Sequence, residues 1–185
     1  ERILDRIFRV FRPIFQEIIL VTNAPLRYLQ WDVKIVSDLY DVRSSLIGLH
    51  AGLFHAKGSH AFVAACDTPF LAPTLLKEIV ARVRPETDVL IPETASGLEP
   101  LCAVYSRRCL KPIERNLRSG RLKIQDIFAH VRVETMVEAD VRRFDQHSVS
   151  FININTAEDL SDAEATLAGF GRETHSGGNI ETNGS

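Results

Sequence analysis

Two features that some protein classes need are scarce in this sequence: an excess of charge and a long apolar run. The formal net charge is −2 over 185 residues, which gives no overall attraction to nucleic acid or to a membrane surface. No apolar run approaches the roughly 20 residues of a membrane-spanning helix. The opening segment 1–15 carries acidic side chains, which a signal peptide avoids. We therefore expect a protein that binds neither nucleic acid nor membranes.

Paired cysteines are also lacking. The chain has three cysteines, an odd number, and none of them forms a CxxC motif; they are Cys66, Cys102 and Cys109. Two of them stand in apolar, strand-like runs. Buried free thiols in a reducing compartment fit this pattern, so we predict a cytoplasmic protein.

The histidines do not indicate a zinc site. His50, His55 and His60 are five residues apart, a spacing that does not share one face of a helix, and no nearby Cys or His pair has the spacing of a zinc site. We expect these histidines at surface or helix-capping positions.

What the sequence does contain is a 45% hydrophobic composition and an alternation of strand-like and helix-like segments. We predict strands at 17–23, 33–38, 60–67, 87–93, 98–106 and 150–154, and a short strand at 132–139. We predict helices at 2–15, 44–57, 72–84, 107–120, 122–131 and 156–170. The predicted strands are continuous apolar runs, which is typical of a mostly parallel sheet with helices on both faces. This pattern predicts one α/β domain over 1–170, followed by a disordered tail at 171–185.

Polar side chains stand at or just after four of these strands. They are Asn23, Asp38, Asp67 and Asn155. In a parallel sheet the carboxyl ends of the strands meet at one edge, where ligands bind. Asp67 and Asn155 offer the oxygen atoms of a partial Mg²⁺ shell that phosphate oxygens and water would complete. The alternative is that Asp67 only caps the turn made by Thr68 and Pro69.

Five motifs resemble one known family. The motifs are "SSLIGLHAGL" at 44–53, "CDTPFL" at 66–71, "SGLEPLCAVYS" at 96–106, "SGRLKIQDIF" at 119–128 and "FININTAEDL" at 151–160. Together they are similar to the molybdenum cofactor guanylyltransferase (MobA-like) family of nucleotidyltransferases, over about residues 2–168. The resemblance implies a three-layer Rossmann-like nucleotidyltransferase fold. It also implies transfer of GMP from GTP to molybdopterin carrying molybdenum, with release of pyrophosphate.

The resemblance assigns roles to single positions. Asp67 matches the catalytic, nucleotide-binding aspartate that holds Mg²⁺, and Asn155 matches a second metal-side position. Asn23, Asp38 and Gly48 match positions near the guanine nucleotide. On the acceptor side, the resemblance points to Glu99, Pro100, Arg121, Lys123 and Asn153. For Arg121 and Lys123, a solvated basic turn is the alternative interpretation.

One family motif is absent from the printed sequence. Relatives begin with a strand and a loop of the form "LAGGxSxRMGxDK", whose backbone amides and basic side chains hold the triphosphate. We expect such a segment, about 25 residues or longer, to precede residue 1 in the natural protein.

Other functions remain open at this point. A related enzyme of the same fold transfers CMP or a sugar-linked nucleotide, and a non-catalytic relative would hold molybdopterin or nucleotide without turnover. An unrelated Rossmann-like domain would match these motifs by chance. If the chain is the guanylyltransferase, its partners are GTP and molybdopterin, with transient contacts to molybdenum-handling proteins.

Overall fold

The computed structural model describes residues 2–173, in which helices and strands alternate along most of the chain. The strands are β1 Ile19–Val21, β2 Lys34–Val36, β3 His60–Ala64, β4 Val89–Thr94, β5 Gly97–Leu98, β6 Cys102–Ser106 and β7 Val133–Met136. The α-helices are α1 Ile3–Phe11, α2 Ser45–His55, α3 Pro73–Arg82, α4 Leu110–Arg118, α5 Glu138–Phe144 and α6 Ala157–Glu173. Short 3₁₀ helices cover Pro25–Arg27, Arg107–Cys109, Ile124–His130 and Val149–Phe151. None of the helices within residues 2–173 is long and apolar enough to cross a membrane.

The strands form two sheets. β1 and β2 pair in parallel, and the larger sheet has the order β3-β6-β4, with β5 and β7 both paired to β4. β6 runs antiparallel to both β3 and β4, whereas β7 is parallel to β4. The prediction of a mostly parallel sheet is therefore wrong for the larger sheet, which is mixed. The link between β4 and β6, residues 95–101, is too short for the crossover of about a dozen residues that parallel strands need.

Two apolar clusters cover the two faces of the larger sheet. Val89 and Ile91 of β4 pack with α2 and α4 in one cluster, while Leu90 of β4 packs with α3, α5 and β7 in the other. Successive strand residues point to opposite faces, so a strand buried on both faces must be apolar at every position. This arrangement confirms an α/β fold with helices on both faces.

The central strands are more buried than the outer ones. All residues of β6 are buried, and so are the first four of β4, but every residue of β1 and β3 is only half-buried. Helix α2 packs against both β1 and β3. Within residues 2–173, no backbone hydrogen bond joins the smaller sheet to the larger one.

The helix starts follow local chemistry. Ser44 caps α2, because its Oγ accepts from the N–H of Ile47 at 3.3 Å. Pro73 begins α3 at a position where its missing N–H costs nothing. At α6, Asp159 N–H donates to Thr156 Oγ1 at 3.0 Å, so Thr156 caps this helix.

Several predicted elements need correction. The predicted strand 150–154 is wrong: the chain forms the 3₁₀ helix Val149–Phe151 and then an irregular segment. Its apolar residues are buried by packing and not by pairing, since Phe151 packs against the core cluster that contains α3. The predicted helix at 122–131 is a 3₁₀ helix, and α5 was not predicted. In the predicted tail, residues 174–185 lie outside the described residues.

Candidate nucleotide and metal site

Asp67 lies in a turn just beyond the end of β3. The hydroxyl of Thr68 donates to the carbonyl oxygen of Ala65 at 3.0 Å, so Thr68 holds this turn. The Oδ1 atom of Asp67 is buried and has no hydrogen-bond partner among the described residues. An unpaired buried carboxylate oxygen is costly unless a ligand satisfies it. The geometry therefore favours a ligand-binding role for Asp67 over the alternative role of capping the turn.

A backbone hydrogen bond brings the segment of Asn155 next to Asp67. The N–H of Ile154 donates to the carbonyl oxygen of Asp67 at 2.8 Å. Ile154 is buried, whereas Asn153 and Asn155 on either side of it are exposed. The sequence placed Asn153 within a predicted strand and Asn155 just after it, and the structure brings both to Asp67 through a loop.

The start of α6 holds Asn155 from its other side. The backbone N–H groups of Asn155 and Thr156 both donate to Asp159 Oδ2 at 2.9 Å. These hydrogen bonds lower the pKa of the Asp159 carboxyl, and the bond from Asn155 contributes most. Asp159 is thus committed to the helix cap and does not serve as a free acidic ligand.

Asn23 and Asp38 form a pair at the carboxyl ends of β1 and β2. The Asn23 amide donates to Asp38 Oδ2 at 2.8 Å, and the Asp38 backbone N–H donates to Asn23 Oδ1 at 3.1 Å. Thr22 N–H donates to Val36 O at 2.8 Å and continues the pairing of the two strands toward them. The structure therefore brings these two predicted residues together, on a different sheet from Asp67.

Gly48 stands in the first half of α2, with open space around it. A Cβ atom added there would meet no heavy atom within 4 Å. Packing within the chain therefore does not require glycine at this position, and only the approach of a ligand would.

The acceptor-side residues occupy two places. Ala65 N–H donates to Leu101 O at 3.0 Å, which sets Glu99 and Pro100 alongside the segment that leads to Asp67. Glu99 Oε1 accepts from Thr94 Oγ1 at 2.9 Å.

The basic pair lies farther along the chain. Arg121 and Lys123 are exposed on the turn that follows α4. Neither residue makes an ion pair with another described residue. The geometry is compatible both with a phosphate contact and with a solvated turn.

Two predictions about buried and exposed side chains were wrong. Cys66 is exposed, since β3 ends at Ala64 and the residue lies in the turn. Partial desolvation and the neighbouring Asp67 carboxylate raise the pKa of its thiol. His50 of α2 is 3% exposed, because its side chain faces α4, with its Nε2 3.4 Å from Glu114 Oε1. The other thiols, Cys102 and Cys109, are free and buried, as predicted.

Sequence patterns gave no signal for two buried polar residues. Asn116 is fully buried in α4, and its side-chain amide has no partner among the described residues. Asp145 is 5% exposed and binds two backbone N–H groups. Neither follows an apolar strand directly, which is the feature that singled out Asp67.

An open cleft at the amino end of β4 contains charged side chains that already form ion pairs and hydrogen bonds. Asp88 Oδ1 accepts from Arg108 Nε at 2.6 Å, and its Oδ2 accepts from Arg132 N–H at 3.0 Å. Burial alone would raise the pKa of Asp88, but these two donors outweigh it and lower the pKa. The cleft faces the amino end of β4, away from the carboxyl end of β3 that leads to Asp67.

No cluster of three or more His, Cys, Asp or Glu side chains among residues 2–173 is arranged to hold a metal ion by itself. A cation at Asp67 would therefore need amide oxygens and oxygen atoms from a substrate. That is the donor set typical of Mg²⁺ in phosphate-binding sites.

Comparison with known proteins identifies the family. Residues 1–136 match the MobA-like NTP transferase domain family. The chain belongs to this family. It is 45% identical over 164 residues to the molybdenum cofactor guanylyltransferase of Desulfosudis oleivorans, covering 89% of this chain and 81% of that protein.

Two further relatives agree. A probable molybdenum cofactor guanylyltransferase of Natranaerobius thermophilus is 32% identical over 172 residues, which cover 90% of this chain and 84% of that protein. The crystal structure of molybdopterin-guanine dinucleotide biosynthesis protein A from Archaeoglobus fulgidus superimposes with a TM-score of 0.76 at 28% identity. That match covers 91% of this chain and 87% of the other. The α/β nucleotidyltransferase fold and the resemblance read from the motifs are thereby confirmed.

Proposed function

We propose that this nucleotidyltransferase transfers GMP from GTP to the phosphate of molybdopterin carrying molybdenum and releases pyrophosphate. The family match and the guanylyltransferase relative at 45% identity support the reaction class. The observation that carries the proposal is the buried, unpaired Oδ1 of Asp67, beside the segment of Asn155. The three free cysteines suit a reducing compartment, so we place the reaction in the cytoplasm.

Asp67 and Asn155 are the residues that would hold a Mg²⁺ ion in this proposal. Bound there, Mg²⁺ would offset the negative charge of the triphosphate. The residues fit such an ion, because Asp67 has a carboxylate oxygen without a partner and Asn155 is exposed next to it.

The Asn23–Asp38 pair is the proposed contact for the base. A carboxylate accepts hydrogen bonds only. The base-pairing edge of guanine presents adjacent N–H donors, whereas that of cytosine presents an acceptor oxygen and an acceptor nitrogen beside its amino group. Asn23 orients Asp38 through its amide and leaves Asp38 Oδ1 for the base. This chemistry favours GTP over CTP.

The reaction asks little covalent chemistry of the protein. The acceptor phosphate is already ionised at neutral pH, so no strong general base is needed. The chain's task is to align that phosphate with the α-phosphate of GTP. We assign the acceptor side to Glu99, Pro100, Asn153, Arg121 and Lys123, of which the two cationic residues suit the molybdopterin phosphate. Transient contacts with molybdenum-handling proteins would bring the acceptor.

The test uses the natural full-length chain with GTP, Mg²⁺ and molybdopterin. We expect pyrophosphate release in the wild type and a loss of about 100-fold or more in Asp67→Ala, since removing one major electrostatic contribution costs about that much. Asp162→Ala, an exposed carboxylate on α6, is the control and should keep full activity. Turnover that survives Asp67→Ala, or a preference for CTP over GTP, would contradict the proposal.

A further inference from the structure

A buried carboxylate outside the candidate site controls the turn that precedes Asn155. Asp145 is 5% exposed and follows α5 directly. Its Oδ1 accepts from the N–H of Val149 at 3.0 Å, and its Oδ2 accepts from the N–H of Ser150 at 2.9 Å. Both oxygens of this carboxylate are thus used on the backbone of one turn.

Three hydrogen bonds then join this part of the chain to the segment that contains Asp67. Ile154 N–H donates to Asp67 O at 2.8 Å. Ser150 Oγ accepts from Ala72 N–H at 2.8 Å, and Thr74 Oγ1 donates to Phe144 O at 2.7 Å. Segment 144–154 is therefore attached to segment 67–74 at both ends and near the middle.

We propose that Asp145 is a positioning residue of the metal site, which holds turn 149–150 so that Ile154 stays bonded to Asp67 and Asn155 stays beside it. This inference rests on the proposed function, because Asp67 and Asn155 act as a pair only if they share a cation. Asp145 itself is not a metal ligand in this proposal, since both its oxygens accept from backbone N–H groups. It acts through the backbone, as the groups that orient metal ligands do in other proteins, where their loss weakens metal binding by about 10- to 100-fold.

The physical reason lies in the two N–H groups bound to Asp145, which are buried at Ser150 and partly buried at Val149. If one oxygen of Asp145 is replaced by an amide NH₂, either Val149 or Ser150 loses its acceptor, and a buried N–H without a partner is costly. The turn relieves this cost by moving. Because Ser150 is bonded to Ala72 and Ile154 to Asp67, the movement changes the position of Asn155 relative to Asp67.

The experiment measures Mn²⁺ binding by electron paramagnetic resonance at a fixed, saturating GTP concentration. For Asp145→Asn we expect the Mn²⁺ dissociation constant to rise about tenfold. Asn155→Ala should also raise it. The double variant should bind Mn²⁺ no more weakly than Asn155→Ala alone, since Asp145 acts only through Asn155.

Asp88→Asn is the matched control, because Asp88 is also a partly buried carboxylate that accepts from a backbone N–H, at the opposite end of β4. It should lower the melting temperature and leave Mn²⁺ binding unchanged. An Asp145→Asn protein that is destabilised like this control but keeps its Mn²⁺ affinity would overturn the inference. So would additive effects of Asp145→Asn and Asn155→Ala.

If Asp145→Asn does not fold, Ser150→Ala replaces it, because it removes only the bond to Ala72. We expect about threefold weaker Mn²⁺ binding, and unchanged binding would overturn the inference. Absence of GTP-dependent Mn²⁺ binding in the wild type would refute the proposed function together with this inference. The inference alone would be refuted if Asn155→Ala weakened Mn²⁺ binding while Asp145→Asn and Ser150→Ala left it unchanged.

Discussion

Asp67 and Asp38 each follow the end of a strand, but their carboxylates differ in hydrogen bonding. Asp67 has a buried oxygen with no partner among residues 2–173, whereas Asp38 shares two hydrogen bonds with Asn23. The region around Asp67 is held by backbone bonds from a distant segment, and the region around Asp38 is held by its neighbour strand.

This difference indicates two kinds of binding. A carboxylate that keeps an unpaired buried oxygen is suited to a cation, because a cation offsets its cost of burial. A carboxylate that an amide orients, and that keeps one oxygen free, is suited to accept hydrogen bonds from the N–H groups of a nucleotide base. From this comparison we propose that Asp67 contacts the metal and phosphate end of the nucleotide, and that Asp38 contacts the base end.

The largest expected effect comes from Asp67→Asn, which preserves size and removes charge. We expect turnover to fall by about 100-fold, with thermal stability unchanged or slightly raised, because the orphaned oxygen is no longer charged. Pyrophosphate release and thermal unfolding check both parts. If Asp67→Asn lost activity only because the protein unfolded, Asp67 would be a structural residue and the proposed difference from Asp38 would be wrong.

The next largest effect is expected from substitutions at Asp38, the proposed contact for the base of GTP. Asp38→Asn should raise the KM for GTP about tenfold, as expected when a hydrogen bond to a charged group is lost, with little change in Mg²⁺ dependence. The swap Asn23→Asp with Asp38→Asn keeps an amide–carboxylate pair and moves the charge by one residue. If the swap restored the wild-type KM, GTP binding would depend on the presence of an amide–carboxylate pair and not on which residue carries the charge.

A smaller effect distinguishes two glycines of α2. Gly48→Ala and Gly52→Ala should each stabilise the helix by up to about 1 kcal/mol. A Cβ at Gly48 meets no heavy atom within 4 Å, and one at Gly52 makes an ordinary 3.7 Å contact with Val21. Only Gly48→Ala should weaken GTP binding, by about threefold in a calorimetric titration if the nucleotide lies against Gly48. Equal GTP affinity in both variants would remove Gly48 from the site.

The smallest effect concerns Asp159, which caps α6 beside Asn155. The hydrogen bonds from Asn155 and Thr156 lower its pKa below the usual value of 3.8. Its contribution to stability is therefore fully present above pH 3.8 and is lost as pH falls through the lower folded value. Urea unfolding of wild type and Asp159→Asn should differ at pH 7 and converge as pH falls below 3.8. A difference that persists at the lowest pH would contradict this cause.

Local patterns were sufficient for much of the fold. The predicted helices 44–57 and 156–170 correspond to α2 and α6, and continuous apolar runs located β4 and β6. The same logic failed at 150–154, where an apolar run is buried without pairing to a strand. A short apolar run reports burial, and it does not report whether the burying neighbour is a strand or a helix.

The candidate site divides in the same way. The sequence by itself determined which residues end apolar strands on an oxygen-bearing side chain, and so it singled out Asp67, Asn23 and Asp38, because strand periodicity and turn chemistry are local. Only the tertiary structure decided that β6 pairs with the distant β3 and that Asp145 holds the turn before Asn155. Those outcomes depend on contacts between segments far apart in the chain, where hydrogen bonds such as that of Ile154 to Asp67 form only after folding.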